Sequence, residues 1–234
     1  MDDSYKAEWY DIDDADRTAF LGWLHESHLP SIQSQLGILW VGHYAIQEKP
    51  GYKTPNAIGL SRMETDDPTV PTGSQYVLLT SAATPDGFFD PNNSPSEDNA
   101  TKDWLAKRRN YRQAIFLVEQ RVNGPEYRKL LPGTGAPPAM QLGNFNVKTI
   151  EDEFDLGYFY RRCRYAEIPV TPGCISMLKL LGVAGWPKHG VLYQFAEMED
   201  REEEFEQRFR DSIGGRDWRG RDVREYVVHA PKAP

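Results

Sequence analysis

Residues 37–46 read Gly-Ile-Leu-Trp-Val-Gly-His-Tyr-Ala-Ile, a run of β-branched and aromatic residues that predicts a strand. A run with a similar opening begins 136 residues later, where Gly173-Cys174-Ile175 leads into Ser-Met-Leu-Lys-Leu. This recurrence indicates an internal repeat, and a repeat is the first thing to establish in assigning a fold.

The elements around residues 37–46 follow a simple order. Hydrophobic spacing predicts a strand at 5–12, a helix at 15–28, strands at 38–46 and 76–81, a helix at 101–112 and a strand at 114–122. A short edge strand is also predicted at 58–63. The first half therefore follows the order β, α, β, β, α, β, which is the order of a ferredoxin-like unit.

The second half repeats this order. At an offset of 135, Tyr10-Asp11-Ile12 corresponds to Phe145-Asn146-Val147 and Leu21-Gly22-Trp23 to Leu156-Gly157-Tyr158, with one residue inserted near the helix end. Strands are predicted at 140–147, 174–183, 191–194 and 224–229, and an acidic helix at 199–212. The sequence thus predicts an α+β protein with a first unit at 1–123, a Gly- and Pro-rich linker at 124–138 and a second unit at 139–234.

Two tandem ferredoxin-like βαββαβ units leave two sheet faces without helices. An apolar sheet face has to be buried, and packing the two sheets against each other buries both faces at once. We therefore expect the units to pack sheet to sheet as an α+β barrel. We also expect a ligand cavity between the two sheets.

The composition and charge of the chain limit the classes of partner that are expected. The 234 residues carry a net charge of −8, which argues against nucleic acid and anionic membranes as partners. The longest apolar runs fall short of a membrane span, and the acidic N-terminus does not resemble a secretion signal. Cys163 and Cys174 are too few for a disulfide framework and do not have zinc-site spacing. These features predict a cytoplasmic protein.

The order of elements and a few short motifs resemble a known family. A strand, a helix ending in His28-Leu29-Pro30, and Gly37 leading into an aromatic strand look like the EthD-type branch of the dimeric α+β barrel superfamily. In the second half, Pro172-Gly173 and the closing Val227-Val228-His229-Ala230-Pro231 fit the same pattern. The resemblance implies binding of small, often aromatic, compounds or haem. It also implies monooxygenase, isomerase, cyclase, decarboxylase or haem-degrading activity.

Histidines supply the first candidates for catalysis. His43 lies on an otherwise apolar strand, and the repeat places Lys179 at the corresponding position of the second copy. A buried ionisable group is costly unless it is paired or used, although exposure at a strand end would explain both residues equally well. His25 and His28 share one helix face and are candidates for a base and its partner, or for a pair of metal ligands. The alternative is two cations on a polar face near a helix C-terminus.

Further candidates lie elsewhere in the chain. His189 and Tyr193 share a strand face and suit proton transfer, although a tight hairpin with a core tyrosine accounts for them as well. Arg162 and Lys179 are candidates for binding a substrate carboxylate, and for Arg162 the alternative is a solvated helix face. Trp40 and Tyr10 are candidates for contacts with an aromatic substrate. The high aromatic content fits an aromatic-lined pocket or a well-packed barrel.

These residues favour a cofactor-independent enzyme. The expected chemistry is acid–base catalysis of the lyase, decarboxylase or isomerase type on a small aromatic or polyketide-like compound, without a metal. A non-catalytic binding protein and a haem- or oxygen-using monooxygenase are the alternatives. The resemblance leaves open whether the chain forms a homodimer.

Overall fold

The computed structural model describes residues 1–46, 67–71, 75–93, 98–147, 149–202, 205 and 222–229. For Asn92, Cys163, Glu202 and strand residues 222–229 only the backbone is described. The edge strand predicted at 58–63 and most of the helix predicted at 199–212 lie outside the described residues. None of the helices in the described ranges is long and apolar enough to cross a membrane.

In the described part of the first half there are four strands, with helices after the first and the third. Its elements are β1 (Ser4–Asp11), α1 (Asp14–Trp23), a π-helical turn (Leu24–His28), α2 (Leu29–Gln33), β2 (Ile38–Ile46), β3 (Tyr76–Ala82), α3 (Asn99–Leu105) and β4 (Arg109–Asn123). Two short 3₁₀ turns, Pro85–Phe88 and Pro91–Asn93, follow β3. The helix predicted at 101–112 is therefore too long. Residues 109–112 belong to β4 because Arg109 and Arg112 pair with Asp11 and Trp9 of β1.

The second half repeats these elements. They are β5 (Ala139–Asn146), α4 (Ile150–Phe159), a π-helical turn (Tyr160–Arg164), α5 (Tyr165–Glu167), a 3₁₀ turn (Ile168–Val170), β6 (Cys174–Gly185), β7 (His189–Phe195), α6 (Met198–Glu202) and β8 (Asp222–His229). Thr149 caps α4, accepting a hydrogen bond from the backbone N–H of Asp152, whose side chain accepts one from Thr149 N–H.

The strand order confirms two ferredoxin-like sheets joined into one barrel. The strands described form a closed ring in the order β1-β3-β2-β8-β5-β7-β6-β4, and every neighbouring pair is antiparallel. Within this ring, β4-β1-β3-β2 is the first sheet and β8-β5-β7-β6 is the second. The two sheets meet along β2–β8 and β4–β6, so the barrel has no open edge.

The helices correct the alignment of the two halves. α1 and α4 both span ten residues and start 136 residues apart, so the extra residue lies in the β5–α4 loop and not near the helix end. Buried Phe20 and Leu24 therefore correspond to buried Leu156 and Tyr160. The predicted match of Leu21-Gly22-Trp23 with Leu156-Gly157-Tyr158 is one residue out of register.

The barrel interior is a packed core and not a ligand cavity. Alternate residues from both sheets fill it, among them Trp9, Trp40, Phe116, Leu142 and Leu180. The predicted cavity between the two sheets is therefore wrong for the described part of the barrel. Large aromatic side chains occupy that space, as they do in other small closed barrels. Two further clusters lie outside the barrel, between each sheet and its helices.

Candidate functional site

A pocket of about 290 Å³ lies between the first sheet and its helices. Lys6 and Glu8 of β1 and Thr80 of β3 line it on the sheet side. The opposite wall comes from the helical segment around His28 and from the 3₁₀ turns that follow β3. Its volume is at the small end of the range of about 300–1,000 Å³ that is usual for small-molecule sites.

The sheet side of the pocket carries a buried ion pair. Nη1 of Arg108 donates to Oε1 of Glu8 at 3.1 Å, and Nζ of Lys6 lies 3.4 Å from Oε2. The hydroxyl of Tyr111 donates to Oε1 at 2.7 Å. Burial alone would raise the pKa of Glu8, but the charges of Lys6 and Arg108 and the hydrogen bonds from Tyr111 and Arg108 outweigh it and lower this pKa. Glu8 is therefore a carboxylate at neutral pH.

The same network raises the pKa of Tyr111, whereas it lowers that of Glu8. Burial, followed by the negative charge of Glu8 and the hydrogen bond to it, raises the pKa of Tyr111 far above its usual value. The guanidinium of Arg108 stacks on the Tyr111 ring, 4.0 Å from its centroid. Tyr111 thus stays a neutral hydroxyl donor beside two cationic side chains.

His28 is the ionisable group on the helix side. Its ring stacks on Trp23 with the centroids 4.8 Å apart, and the residue is buried. Burial lowers the pKa of His28, an effect that nearby Glu8 opposes and that Arg108 and Lys6 reinforce. The imidazole is therefore neutral at pH 7 and can accept a proton.

A π-helical turn places this histidine. Residues 24–28 leave the α-helical repeat directly after α1, and the matching turn of the second half spans residues 160–164. Such turns are often found at functional sites because the inserted residue redirects the side chains around it. In the first half the turn directs His25 towards β2, and His28 towards the pocket.

Three of the predicted residues meet beside the pocket, in a hydrogen-bonded row. The Tyr10 hydroxyl lies 2.8 Å from Nε2 of His43, and Nδ1 of His43 lies 3.0 Å from Nε2 of His25. Burial, and to a smaller extent the neighbouring His25, lowers the pKa of His43 to about 3. This row runs from the buried Tyr10 to the partly exposed His25. His43 is not among the residues that line the pocket, so its contacts suit proton relay or positioning.

The second half fills the equivalent space with its own side chains. Arg164 stands where His28 does in the first half, and its Nε donates to the Tyr193 hydroxyl at 2.5 Å. The guanidinium also lies 4.7 Å from the centre of the Phe205 ring. Lys179, at the place of His43, is buried and forms an ion pair with Glu119. Arginine and aromatic rings thus occupy the space between the second sheet and its helices.

The remaining predicted residues lie away from the pocket. Nε2 of His189 lies 3.0 Å from Oε1 of Glu153, and the His189 ring stacks on Phe145 in the second half. Arg162 is exposed and stacks on Tyr158, as the alternative of a solvated helix face implied. Trp40 belongs to the barrel core. Among the residues that the structure describes, His28 is the one of the nine predicted site residues that lies on the pocket wall.

Sequence reasoning missed the charged residues of this pocket. Lys6, Glu8 and Tyr10 alternate along β1 and share one face, which was the available signal. Arg108 and Tyr111 gave no such signal, because they lay within a segment predicted to be helical. Their contact with Glu8 spans about a hundred residues of sequence.

The pocket does not fit a haem. A haem needs an axial ligand and room for a wide macrocycle, whereas this pocket is small and is crossed by the Glu8–Arg108 ion pair. Among the side chains that are described, no group of three or more His, Cys, Asp and Glu is placed to hold a metal ion.

Comparison with solved structures supports the fold. The chain resembles an anthrone oxidase-like protein at 9% identity, with a TM-score of 0.54 over 99% of this chain and 92% of that one. It resembles a protein from Lactobacillus acidophilus, provisionally named a monooxygenase, at 12% identity and a TM-score of 0.53 over 97% and 94%. A protein provisionally named a chlorite dismutase gives 10% identity and a TM-score of 0.56 over 98% and 95%.

These similarities define the class of fold. At such identities a shared structure shows the architecture and does not transfer an activity. The chain has the ferredoxin-like α+β barrel fold, with both halves of the barrel in one polypeptide. No protein-family model and no curated protein matches the sequence.

Proposed function

We propose that this chain is an enzyme that acts by acid–base chemistry, without a cofactor, on a small aromatic compound with an acidic group. The substrate would bind in the pocket between the first sheet and its helices. The observation that carries the proposal is the neutral, buried His28 on one pocket wall, facing a sheet side that holds Lys6, Arg108 and Tyr111. A base opposite donors and cations is the arrangement that proton abstraction requires.

Each group has a distinct role in this proposal. His28 would take a proton from a carbon or hydroxyl of the substrate, and the negative charge would develop on a phenol, enol or carboxylate oxygen. Lys6 and Arg108 would stabilise that oxygen, with Glu8 holding the two cations in position while it accepts the Tyr111 hydroxyl. Asp90, on the loop side of the pocket, would disfavour a substrate with a second negative charge there. The protonated His28 would then return its proton: to another carbon in an isomerase, to the leaving group in a lyase, or to the carbon that loses CO₂ in a decarboxylase.

The resemblance to the EthD-type branch is consistent with this class of substrate. His28-Leu29-Pro30, one of the motifs that carry the resemblance, contains the proposed base. The row formed by Tyr10, His43 and His25 would exchange protons between the buried region next to Arg108 and the surface. We assign the activity to the cytoplasm on the grounds of sequence composition.

Replacing His28 with glutamine is expected to lower kcat by about 10²–10⁴-fold, the usual contribution of a general base. Glutamine keeps a similar length and polarity, so binding should change much less. A panel of phenols and aromatic carboxylates can be screened by tryptophan fluorescence, because Trp23 stacks on both His28 and Trp104. Compounds that bind are then tested for turnover by mass spectrometry.

His189→Gln is the matched control for this experiment. His189 is also buried and also has a lowered pKa, caused first by burial, but it lies in the second half. The His189→Gln variant should leave turnover unchanged. Full activity in His28→Gln would overturn the assigned role. Tight binding of several compounds without turnover of any would favour the non-catalytic binding protein.

The pH dependence of activity should show a single acidic limb. Because burial lowers the pKa of His28, kcat/KM should be level around pH 7 and fall as the pH drops below the ordinary histidine value of about 6.5. A pH profile of kcat/KM measured on the best substrate of the panel tests this. A limb centred above pH 7 would exclude a buried, neutral His28 as the base.

A further inference from the structure

Helix α4 carries an apolar stripe on the face that points away from the barrel. Ile150, Phe154 and Tyr158 follow one another at intervals of four residues and are 62%, 73% and 60% exposed. The opposite face of α4 buries Leu156 against the second sheet. A helix that is apolar on two faces is usually covered on both. The outer stripe is therefore the expected contact surface for another molecule.

The first half of the chain provides an internal comparison. The equivalent positions of α1, 136 residues earlier, hold Asp14, Thr18 and Gly22. Because the two helices have the same length and the same place in the fold, the repeat itself does not require an apolar outer face. Of these two equivalent helices, α4 carries the stripe and α1 does not.

A glycine next to the stripe leaves room for close approach by another chain. Gly157 is exposed, and a Cβ atom there would have nothing within 4 Å. A helix packed over Gly157 could therefore approach closely. Gly22 of α1 is equally open, so the glycine permits such a contact and does not specify it.

The charged residues on the exposed face of α4 indicate a second copy of the chain as the partner. Glu151 and Asp155 lie in the N-terminal half of the exposed face, and Arg161 and Arg162 follow at its C-terminal end. The acidic N-terminal and basic C-terminal ends make this surface complementary to itself in the antiparallel direction. Such a surface is suited to a twofold contact, in which the same patch is used by both molecules.

We propose that α4 is the interface of a homodimer in which two copies of the chain pack their α4 helices antiparallel. Phe154 and Tyr158 of each copy would form its centre, with Gly157 allowing the backbones to approach. Glu151 of each copy would face Arg161 of the other. The pocket of the first half would lie outside this interface, so dimerisation and the proposed chemistry are independent.

The test is the oligomeric state of the full chain, measured by sedimentation velocity and by light scattering after gel filtration. The wild-type protein should be a dimer. Phe154→Glu should be a monomer with an unchanged circular dichroism spectrum. Thr18→Glu, which makes a similar change at the equivalent position of α1, should remain a dimer.

A charge reversal tests the antiparallel arrangement. Arg161→Glu should raise the dissociation constant of the dimer at low salt, and the double variant Glu151→Arg/Arg161→Glu should restore it because the two ends are then exchanged. A monomeric wild-type protein, or a dimer unaffected by Phe154→Glu, would overturn the proposal. Failure of the double variant to recover would exclude the antiparallel pairing.

Discussion

Replacing Arg108 with methionine is expected to lower the free energy of unfolding by about 3 kcal/mol. Removing one partner of a buried ion pair typically costs about 3–5 kcal/mol, because the remaining charge stays desolvated. Glu8 is 5% exposed and would keep Lys6 at 3.4 Å and the Tyr111 hydroxyl at 2.7 Å, so the loss should fall at the lower end. Urea titration monitored by tryptophan fluorescence measures it.

Lys107→Met is the matched control from the adjacent position. Lys107 forms an ion pair with Asp16 at 2.5 Å, but both side chains are more than a third exposed. Exposed pairs contribute about 0–1 kcal/mol, so this variant should be nearly as stable as the wild type. The double variant Glu8→Gln/Arg108→Met should recover part of the lost stability, because it leaves no unpaired carboxylate. Equal losses in Arg108→Met and Lys107→Met would contradict the buried network.

The same network shows why the fold was easier to predict than the site. The repeat around Gly37 and Gly173 depends on local patterns, and two copies of one pattern reinforce each other. The contact between Glu8 and Arg108 joins distant parts of the chain and depends on where β4 begins. The sequence predicted that residues 109–112 are helical, which placed Tyr111 away from β1. The charged cluster around Glu8 was therefore not predicted.

The prediction of a cavity between the two sheets failed for a different reason. The sequence shows that two sheet faces must meet, but it does not show how completely their side chains fill the barrel. Trp9, Trp40 and Phe116 take up that volume, and the pocket forms on the opposite face of the first sheet. The equivalence of His43 and Lys179 did follow from the repeat. These residues pair with Leu78 and Val191 at matching positions of β3 and β7.

The buried His43 leads to a second large effect, on stability as a function of pH. Its pKa in the folded state is about 3, because of burial and then of the neighbouring His25, whereas an unfolded chain has the ordinary histidine value of about 6.5. Above that value both states are neutral at this position, and its contribution to stability is complete. As the pH falls below about 6.5, the unfolded state takes up a proton that the folded state does not, and stability is lost by about 1.4 kcal/mol per pH unit.

Between pH 6.5 and pH 5, His43 should therefore cost the wild-type protein about 2 kcal/mol of stability that His43→Gln does not lose. His25 and His28 also have lowered pKa values, caused first by burial. They therefore also reduce stability as the pH falls, and they do so both in the wild type and in His43→Gln. The difference between the two proteins isolates His43. Urea titrations at intervals of pH measure it, and any loss of packing in the variant shifts its curve without changing its slope. Identical slopes for the two proteins would show that His43 protonates in the folded state, and would remove it from the buried row with Tyr10 and His25.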